Sequence, residues 1–460
     1  DFCINGLVGP DRVLHPHCHE VKYGYQPVLF KTIDAGEGKV LITNDYQHST
    51  IDHLDISWEI TADGTVIRQG TFPPIEGLAP GKERELLIPV DKKYFANPAN
   101  LSPGEEYFLK VSFRLKNDTW WAKKGHVVAW HQAKLPFKSP DPVKIPAFIP
   151  DIMKVQDDFG VDDLVVTGKN FVVKFSKKSG YLESYKVDGV EYLCTPIMPN
   201  FWRPPVENDI HGRMPFFHGY CEPGFQAEFR KVKDVRSEKV ASKKIARVTT
   251  VESRVDGEDD EHMGDYKVTY TIIGNGDLII EVEFETISSF VRIGQQFDIP
   301  GQYKYMTWLG RGPHESYIDR FESADVGLFS GTVEQLFHMF VYPQETGNHV
   351  ETRWFSLLDD AGKGLLFVGR GNLLSTSAWP VPQSKIAAAQ HINKLYPLGP
   401  NVTVNVDYMQ MGIGGQDGCG MMPREDMKVP AGKYKYAYLI RVVNNKMGML
   451  KQVARQVHDV

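Results

Sequence analysis

The sequence lacks the features of a membrane-spanning, a disulfide-stabilised or a nucleic-acid-binding protein. It has no run of roughly 18 apolar residues, the length that a membrane-spanning helix needs. Its five cysteines are few, odd in number and widely separated, which argues against a disulfide framework or a CxxC metal site. The net charge of -6 argues against the basic surface that nucleic-acid binding normally requires. What is left is a globular chain whose 460 residues suffice for two or three domains.

The sequence also lacks an initiator methionine and a signal peptide, which would show a charged segment followed by an apolar one. The chain starts at Asp1, and the segment Phe2-Cys3-Ile4-Asn5-Gly6 begins abruptly, as if inside a structural element. We therefore expect the chain to be a fragment of a longer protein.

Residues 1–22 do not have the pattern of a domain. A short helix is predicted from His17 to Lys22, because Pro16 is favoured at a first helical turn. This segment is rich in side chains that bind metals: His15, His17, Cys18, His19 and Glu20. His17 and His19 would point apart on a helix, and no second ligand cluster follows at the spacing of a zinc finger. The sequence therefore favours a structural role over a metal site.

Residues 23–137 alternate between apolar and polar side chains, which predicts half-buried strands. The alternation is clearest in Leu54–Ile60 and Tyr107–Leu115. Several such strands in this length predict an immunoglobulin-like β-sandwich. Without paired cysteines, its core needs aromatic side chains. The candidates for core or rim packing, with ligand stacking as the alternative, are Trp58, Trp120, Trp121 and Trp130.

Residues 138–150 form a proline-rich linker, since proline fixes φ and removes backbone donors. Strand patterns return in residues 151–446, where Gly274-Asn275-Gly276-Asp277 between two apolar runs predicts a hairpin. The acidic run Asp256–Glu261 is predicted to be a solvated loop. No alternation of strands and helices is present, so this part is predicted to be a large antiparallel β-sandwich. The tail, residues 447–460, carries Val453 and Val457 at the spacing of a short amphipathic helix.

The segment Met411–Cys419 contains four glycines in nine residues and follows the alternating run Val402–Tyr408. This composition predicts a loop whose backbone adopts conformations that only glycine reaches at low cost. Such a loop could be a wide turn between strands, or it could present a binding edge.

Three other loops combine aromatic, proline, glycine and acidic residues: Phe201–Ile210, Trp308–Tyr317 and Tyr342–His349. Glycoside hydrolysis needs two carboxyl groups on opposite sides of a sugar, so Glu207 with Asp209, or Glu315 with Glu345, are candidate pairs. The alternative, which we favour, is that these carboxylates bind backbone groups or Arg203 and Arg311 and thereby hold the loops. The sequence contains no serine-hydrolase elbow, P-loop or dinucleotide-binding fingerprint.

Together with Phe2–Val8 and Gly125–Trp130, these three loops and the glycine segment occur in an order that resembles large bacterial β-galactosidases of glycoside hydrolase family 2. The resemblance covers nearly the whole chain except about the last dozen residues, and it is to the C-terminal part of such an enzyme. It implies an all-β chain: an immunoglobulin-like β-sandwich followed by a galactose-mutarotase-like β-supersandwich. Residues 1–22 would be the end of a catalytic barrel that the chain otherwise lacks.

The resemblance implies a retaining β-galactosidase as the parent enzyme, with sodium and magnesium as cofactors. The two catalytic glutamates and the magnesium ligands of the family have no counterpart here, so the chain alone is expected to be inactive. The backbone carbonyl of Phe2 and the side chain of Asn5 match part of the sodium site beside the sugar. His211 begins a loop near the active site. Cys419 replaces a tryptophan that stacks on the aglycone, which puts a preference for lactose in doubt.

The expected partners are a β-galactoside and the N-terminal and barrel domains of the parent, which the resemblance implies is a homo-oligomer in the bacterial cytoplasm or periplasm. Nucleic acid and membranes are not expected partners. Two other functions stay open. One is a stand-alone carbohydrate-binding module. The other is a mutarotase-like enzyme, for which His314 with Glu315, or His349 with Glu351, would exchange the proton.

Overall fold

A computed structural model of the chain describes residues 6–145, 153–210, 221, 230–240, 245–255, 262–415 and 422–458. The fold is all-β, as predicted, and its strand pairings are antiparallel. Helices are short, and none in the described residues has the length and apolar character needed to cross a membrane. Two compact units form. The first contains residues 1–143, 322–329 and 455–457, and the second contains the remainder.

The first unit contains two short helices and seven strands. The helices are α1 His17–Gly24 and α2 Lys92–Ala96, and Pro98–Asn100 forms a 3₁₀ turn. The strands are β1 Val28–Asp34, β2 Lys39–Asn44, β3 Leu54–Ala62, β4 Thr65–Phe72, β5 Glu83–Leu87, β6 Tyr107–Leu115 and β7 Val127–Lys134. They form a three-stranded sheet, β1-β2-β5, and a four-stranded sheet, β4-β3-β6-β7. The two predicted strands and the predicted helix are thus confirmed.

The core of the first unit is built mainly from aliphatic side chains that the alternation places on one face of each strand. Ile56, Ile60 and Phe113 are among its fully buried members. Trp58 only packs against this core. The prediction that Trp120 and Trp121 pack in the core or at its rim is wrong, because they are 96% and 52% exposed on the turn between β6 and β7.

Segments from distant parts of the chain complete the first unit. The Glu20 carboxylate accepts hydrogen bonds from the backbone of Glu322 and Ser323, each at 3.1 Å. The Arg455 guanidinium forms an ion pair with Asp63, a buried residue that directly follows β3. Side chains such as those of Glu20 and Arg455 therefore connect residues 322–329 and 455–457 to the rest of this unit.

The second unit holds most of the chain. Its helices are α3 Glu207–Ile210, α4 Val333–Leu336, α5 Gln383–Ala388 and α6 Leu450–Ala454, with 3₁₀ turns at Ile392–Leu395 and Glu425–Met427. The strands that follow β7 are β8 Lys144–Ile145, β9 Lys154–Gln156, β10 Asp163–Thr167, β11 Phe171–Ser176, β12 Leu182–Val187, β13 Val190–Glu191, β14 Met198–Asn200, β15 Arg230–Val240, β16 Ile245–Val255, β17 His262–Ile272, β18 Leu278–Thr286, β19 Arg292–Pro300, β20 Tyr305–Gly312, β21 Asp325–Thr332, β22 His349–Thr352, β23 Trp354–Leu358, β24 Gly364–Gly369, β25 Leu374–Trp379, β26 Asn401–Gln410, β27 Gly432–Val443 and β28 Val457–His458.

Three antiparallel sheets organise these strands. One has the order β13-β12-β11-β10-β9, a second β14-β19-β26-β25-β22, and a third contains, in this order, β15-β16-β17-β18-β27-β24-β23-β20. Strand β21 is divided between the two units, since its residues 325–329 belong to the first. The predicted hairpin is confirmed, since β17 and β18 pair along their length and Ile273 N donates to Asp277 O at 2.9 Å across the turn. Gly276 occupies the left-handed region there, with φ +92°. The acidic run 256–261 lies outside the described residues.

The β14-β19-β26-β25-β22 sheet positions the candidate site. Strands β19 and β26 pair so that Arg292 lies opposite Gln410 and Gly294 opposite Asp407. A Cβ on Gly294 would lie 1.8 Å from an Asp407 carboxylate oxygen, so glycine is required for Asp407 to lie against β19. The register shifts just before Gly294, which lets this close approach occur within a continuous pairing.

Candidate functional site

The Arg203 side chain lies at the centre of the site and has no exposed surface. Its guanidinium makes a two-pronged contact with the Asp209 carboxylate, with both N–O distances at 2.9 Å. Asp209 also accepts from the Val206 backbone at 3.1 Å. The ion pair therefore closes the loop Phe201–Ile210 on itself. A guanidinium suits this place because its flat fork matches a carboxylate and still leaves donors free.

The remaining donors of Arg203 reach the glycine segment. They donate to the carbonyls of Met411 at 2.5 Å and Gly412 at 2.9 Å. The Asn208 amide donates to the carbonyl of Ile413 at 3.2 Å. The segment after β26 is thus held by side chains of the loop Phe201–Ile210, more than two hundred residues away in sequence.

Asp319 holds the other side of the glycine segment. Its carboxylate accepts from the Gly414 backbone at 2.8 Å, and a Cβ on Gly412 would lie 2.5 Å from the same carboxylate. Gly412 and Gly414 do not adopt positive φ. The prediction that glycine is needed at these two positions for a left-handed backbone is therefore wrong. A side chain is excluded at Gly412 because it would overlap with the Asp319 carboxylate.

A second buried arginine, Arg292, lies beside two carboxylates. Its Nη2 donates to Glu345 at 2.8 Å, and its Nε lies 3.2 Å from Asp407. All three side chains have no exposed surface. The Glu345 backbone also donates to the Pro204 carbonyl at 3.1 Å, which joins the loop Tyr342–His349 to the loop Phe201–Ile210.

The Glu345 and Asp407 carboxyls share this single arginine, and their charge is not balanced. Burial raises the pKa of Glu345, against the lowering effect of Arg292. Burial and the Glu345 charge raise the pKa of Asp407 to about 7, again against Arg292. Among the residues that the structure describes, Glu345 Oε2 and both Asp407 oxygens also have no hydrogen-bond partner. The pair therefore retains a proton into the neutral range, because two buried carboxylates beside one guanidinium cannot both ionise cheaply.

Glu315 links the last of the four loops. Its Oε2 accepts from the Thr346 hydroxyl at 2.8 Å and from the Gly347 backbone at 2.7 Å, and its Oε1 pairs with Arg320. The loop Trp308–Tyr317 is thereby joined to the loop Tyr342–His349. The structure brings together all four loops that the sequence singled out.

Three carboxylates in these loops are used for structure, as the sequence favoured, although only Asp209 pairs with an arginine that was predicted as a partner. Asp209 is paired with Arg203, Glu345 with Arg292 and Glu315 with Arg320. In the candidate pairs for glycoside hydrolysis, Asp209 of the first pair and both Glu315 and Glu345 of the second are therefore already ion-paired.

One of the two His–Glu pairs considered for mutarotation, His349 with Glu351, is not arranged for proton exchange. The His349 ring is fully buried and stacks on Trp308 with 4.1 Å between ring centres. Burial lowers the pKa of His349 to about 3, so the ring stays neutral. Glu351 pairs with Arg311 at 2.9 Å, and Glu315 with Arg320. A buried neutral ring beside an engaged carboxylate has no access to a sugar.

Four residues were assigned to the sugar pocket by resemblance: Phe2, Asn5, His211 and Cys419. All of them lie outside the described residues, so their roles in sugar and sodium binding stay predictions. At the His15–Glu20 segment, Glu20 binds the backbone of residues 322–323. Across the described part of the chain, no group of three His, Cys, Asp or Glu side chains is placed to hold a metal.

Sequence reasoning missed Arg292, Asp407 and Asp319. A pattern for two of them was present: Arg292 interrupts the apolar run Phe290–Ile293, and Asp407 follows Asn405 at the two-residue spacing of one strand face. Asn405 is itself part of a buried amide cluster, in which Gln296 donates to its side chain at 2.7 Å. Polar residues that repeat on the inward face of a strand indicate such a network. Asp319 gave no comparable pattern.

Comparison with known proteins identifies similar sequences for most of the chain. Residues 167–440 match the sequence profile described as "Beta galactosidase small chain", and residues 40–136 match "Beta-galactosidase, domain 4". A β-galactosidase of Priestia megaterium is 31% identical over 91% of this chain and 38% of that protein. One of Lactobacillus delbrueckii subsp. bulgaricus is 30% identical over 96% of this chain and 41% of that protein. The chain thus spans about two fifths of the length of these curated relatives.

Solved structures with a similar fold have far lower sequence identity. A galactose 1-epimerase from Lactobacillus acidophilus NCFM is 9% identical, with a TM-score of 0.35, and covers 65% of this chain and 99% of its own. A galactose mutarotase-related enzyme from Lactobacillus acidophilus is 12% identical, with a TM-score of 0.38, and covers 61% of this chain and 97% of its own. Similarity at this level supports no conclusion about activity.

Proposed function

Because the chain belongs to the β-galactosidase small-chain family, we propose that it is the non-catalytic C-terminal part of a retaining β-galactosidase that hydrolyses terminal β-D-galactose residues. In this proposal the second unit shapes one wall of the sugar pocket. The two catalytic glutamates belong to the part of the enzyme outside this chain.

The observation that carries the proposal is the way the glycine segment is fixed. Three side chains hold different parts of Met411–Gly415: those of Arg203, Asn208 and Asp319. Each of these residues is itself buried or partly buried. A segment fixed at several points keeps one shape when a ligand arrives, which is the property of a preformed pocket wall. The residues that follow it, including Cys419, would then meet the aglycone.

A role without catalysis is supported by the state of the acidic side chains. The carboxylates of Asp209, Glu315 and Glu345 are each paired with an arginine. A retaining glycosidase needs one carboxylate free to attack the sugar and one carboxylic acid free to donate a proton. Neither condition holds for these three residues.

The resemblance assigns sodium to Phe2 and Asn5 and magnesium to ligands outside the chain. A backbone carbonyl and an amide oxygen are suitable donors for a hard cation. By the same resemblance, the carboxylate partner of the sodium site would come from a part of the enzyme outside this chain. We derive no catalytic step from either ion.

Hydrolysis of a chromogenic β-galactoside by the purified chain tests the proposal. We expect no turnover that depends on Glu207, Glu315 or Glu345. Turnover that disappears when any one of them is changed to glutamine would overturn it.

A further inference from the structure

The turn between β6 and β7 presents two tryptophans to solvent. Trp120 is 96% exposed and Trp121 is 52% exposed, in a chain whose other large aromatic side chains are mostly buried or half-buried. Isolated exposed apolar side chains are common, but two adjacent indoles at one loop tip are not. Their exposure therefore calls for a physical explanation.

The turn holds these indoles outward with its own hydrogen bonds. Asp118 accepts from the Lys124 backbone at 2.9 Å and from the Lys123 ammonium at 2.8 Å. The Thr119 backbone donates to the Ala122 carbonyl at 2.8 Å, and the Ala122 backbone donates to the Thr119 hydroxyl at 3.0 Å. A turn fixed in this way loses little conformational entropy when a ligand binds to it.

The two rings have different surroundings. The Trp121 ring makes an edge contact with His126, with 5.4 Å between ring centres and 82° between planes. Trp120 is almost fully accessible, so the broad faces of its ring are open to a ligand. An open, fixed indole offers a flat apolar surface with a negative π face, which attracts the slightly positive C–H groups of a ligand.

The size and charge of this surface narrow the class of ligand. A stable protein interface needs about 800 Å² from each partner and an apolar core. The apolar surface of this turn consists of two side chains, and the charged Asp118, Lys123 and Lys124 lie beside them in the chain. Single-stranded nucleic acid also stacks on tryptophan, but it requires a positively charged groove, and the chain has a net charge of -6. One face of a single sugar ring matches the area of one indole.

We propose that the Trp120 turn is a second, non-catalytic galactoside-binding site located in the first unit. In β-galactopyranosides the axial 4-hydroxyl lies on one side of the ring, so C–H groups gather on the opposite face and can stack on the indole. The Lys123 ammonium can donate to hydroxyls at the ring edge. The Asp118 oxygens keep lone pairs beyond the bonds they already accept.

The site needs none of the loops of the second unit and therefore goes beyond the proposed function. Only the choice of galactose over other pyranoses rests on that function, since it follows from the family of the chain. Binding at Trp120 without hydrolysis is compatible with both proposals. Hydrolysis by the chain alone would overturn the proposed function and leave this site unaffected.

Titration of the full 460-residue chain, observed through its tryptophan indole N–H resonances, tests the site. Methyl β-D-galactopyranoside should shift one indole resonance, absent in Trp120→Phe, with a Kd on the order of 1–10 mM. Because the variants lack that resonance, their binding is followed through the resonances of the galactoside instead. Trp120→Ala should weaken binding at least about tenfold, and Trp120→Phe should weaken it less, since a ring face remains. Trp120 supports no core, so these variants should fold like the parent.

Tyr25→Ala is the matched control, because Tyr25 is 85% exposed in the same unit; its affinity should equal that of the parent chain. Methyl β-D-glucopyranoside should bind more weakly. Absence of saturation at about 100 mM galactoside, or equal binding by Trp120→Ala, would overturn the site. Equal affinity for the glucoside would overturn the galactose assignment. Self-association of the chain that Trp120→Ala abolishes would identify a protein contact in its place.

Discussion

The raised pKa of Asp407 reflects a buried site that has more carboxyl groups than arginines to balance them. It shares Arg292 with Glu345, and all three side chains are removed from solvent. A protonated Asp407 avoids a second negative charge beside one guanidinium. The consequence is a stability that depends on pH in the direction opposite to that of an ordinary ion-paired carboxylate.

The prediction for Asp407 follows from its pKa, about 7 in the folded chain against an ordinary 3.8. Between these values the folded state binds more protons than the unfolded state, so the free energy of unfolding falls as pH rises. The contribution is complete below pH 3.8 and lost above pH 7. For one group, the slope is on the order of 1 kcal/mol per pH unit.

Asp407→Asn should remove this slope, since the amide does not titrate. Urea unfolding of the parent chain and the variant at about pH 5 and about pH 8 measures it. Carboxyls away from Asp407 and Glu345, such as Asp277 with its lowered pKa, contribute equally to both proteins and cancel in the comparison. If the variant loses as much stability between these pH values as the parent chain does, Asp407 is not the titrating group.

Arg203 should be costly to replace, because its loss leaves the Asp209 charge buried without a partner and leaves two carbonyls without a donor. We expect Arg203→Met to lower the free energy of unfolding by about 3–5 kcal/mol. Adding Asp209→Asn should recover part of that loss, since the unpaired charge is then absent. Urea unfolding of the single and double variants measures both effects.

Arg424→Met is the control for the loss of an arginine as such. Its partner Asp426 is 54% exposed and Arg424 itself 67%, so solvent screens the pair. A cost below about 1 kcal/mol is expected. Equal costs for Arg203→Met and Arg424→Met would contradict the role of Arg203 in holding the loops.

At the scale of elements, the glycine segment is shaped by what lies against it. A Cβ at position 412 would meet the Asp319 carboxylate at 2.5 Å, and that carboxylate also accepts from Gly414. Gly412→Ala must therefore displace Asp319. We expect a loss of about 1–3 kcal/mol in the free energy of unfolding.

Gly432→Ala is the matched control, since nothing lies within 4 Å of a Cβ there. Its effect on urea unfolding should stay within about 0.5 kcal/mol. The prediction for Gly412 fails if both substitutions have the same small effect.

Much of this level of structure could be predicted from the sequence. The alternation in Leu54–Ile60 and Tyr107–Leu115 predicted strands that form, because a half-buried strand needs one apolar face. The hairpin at residues 274–277 was predicted from its turn residues and the two apolar runs that flank them. The exposed positions of Trp120 and Trp121 could not be predicted in this way. Composition indicates that tryptophan favours burial, but it does not indicate that these two residues lie on an exposed turn between two strands.

The site was only half predictable for a similar reason. Its loops were identified by their unusual local composition. The contacts that join them, such as Arg203 with Gly412 and Asp319 with Gly414, connect residues about 100 to 200 positions apart. Pairing at that distance is decided by the register of the sheet, which places Arg292 and Asp407 on neighbouring strands. A local pattern contains no information about such a register.

For the whole molecule, the matched regions and the chemistry of the loops lead to one account. The chain belongs to the β-galactosidase small-chain family and spans about two fifths of its curated relatives. In the described residues, Asp209, Glu315 and Glu345 are occupied in holding these loops together. The central claim is that this chain supplies a scaffold and a pocket wall, and that it supplies no catalytic carboxylate.

The most direct test is the rate of 2-nitrophenyl β-D-galactopyranoside hydrolysis by the purified chain, with the Priestia megaterium β-galactosidase as the active control. We predict a rate equal to that of buffer alone, unchanged in Glu207→Gln, Glu315→Gln and Glu345→Gln. Saturable hydrolysis by the chain that is lost in any one of these variants would contradict the account.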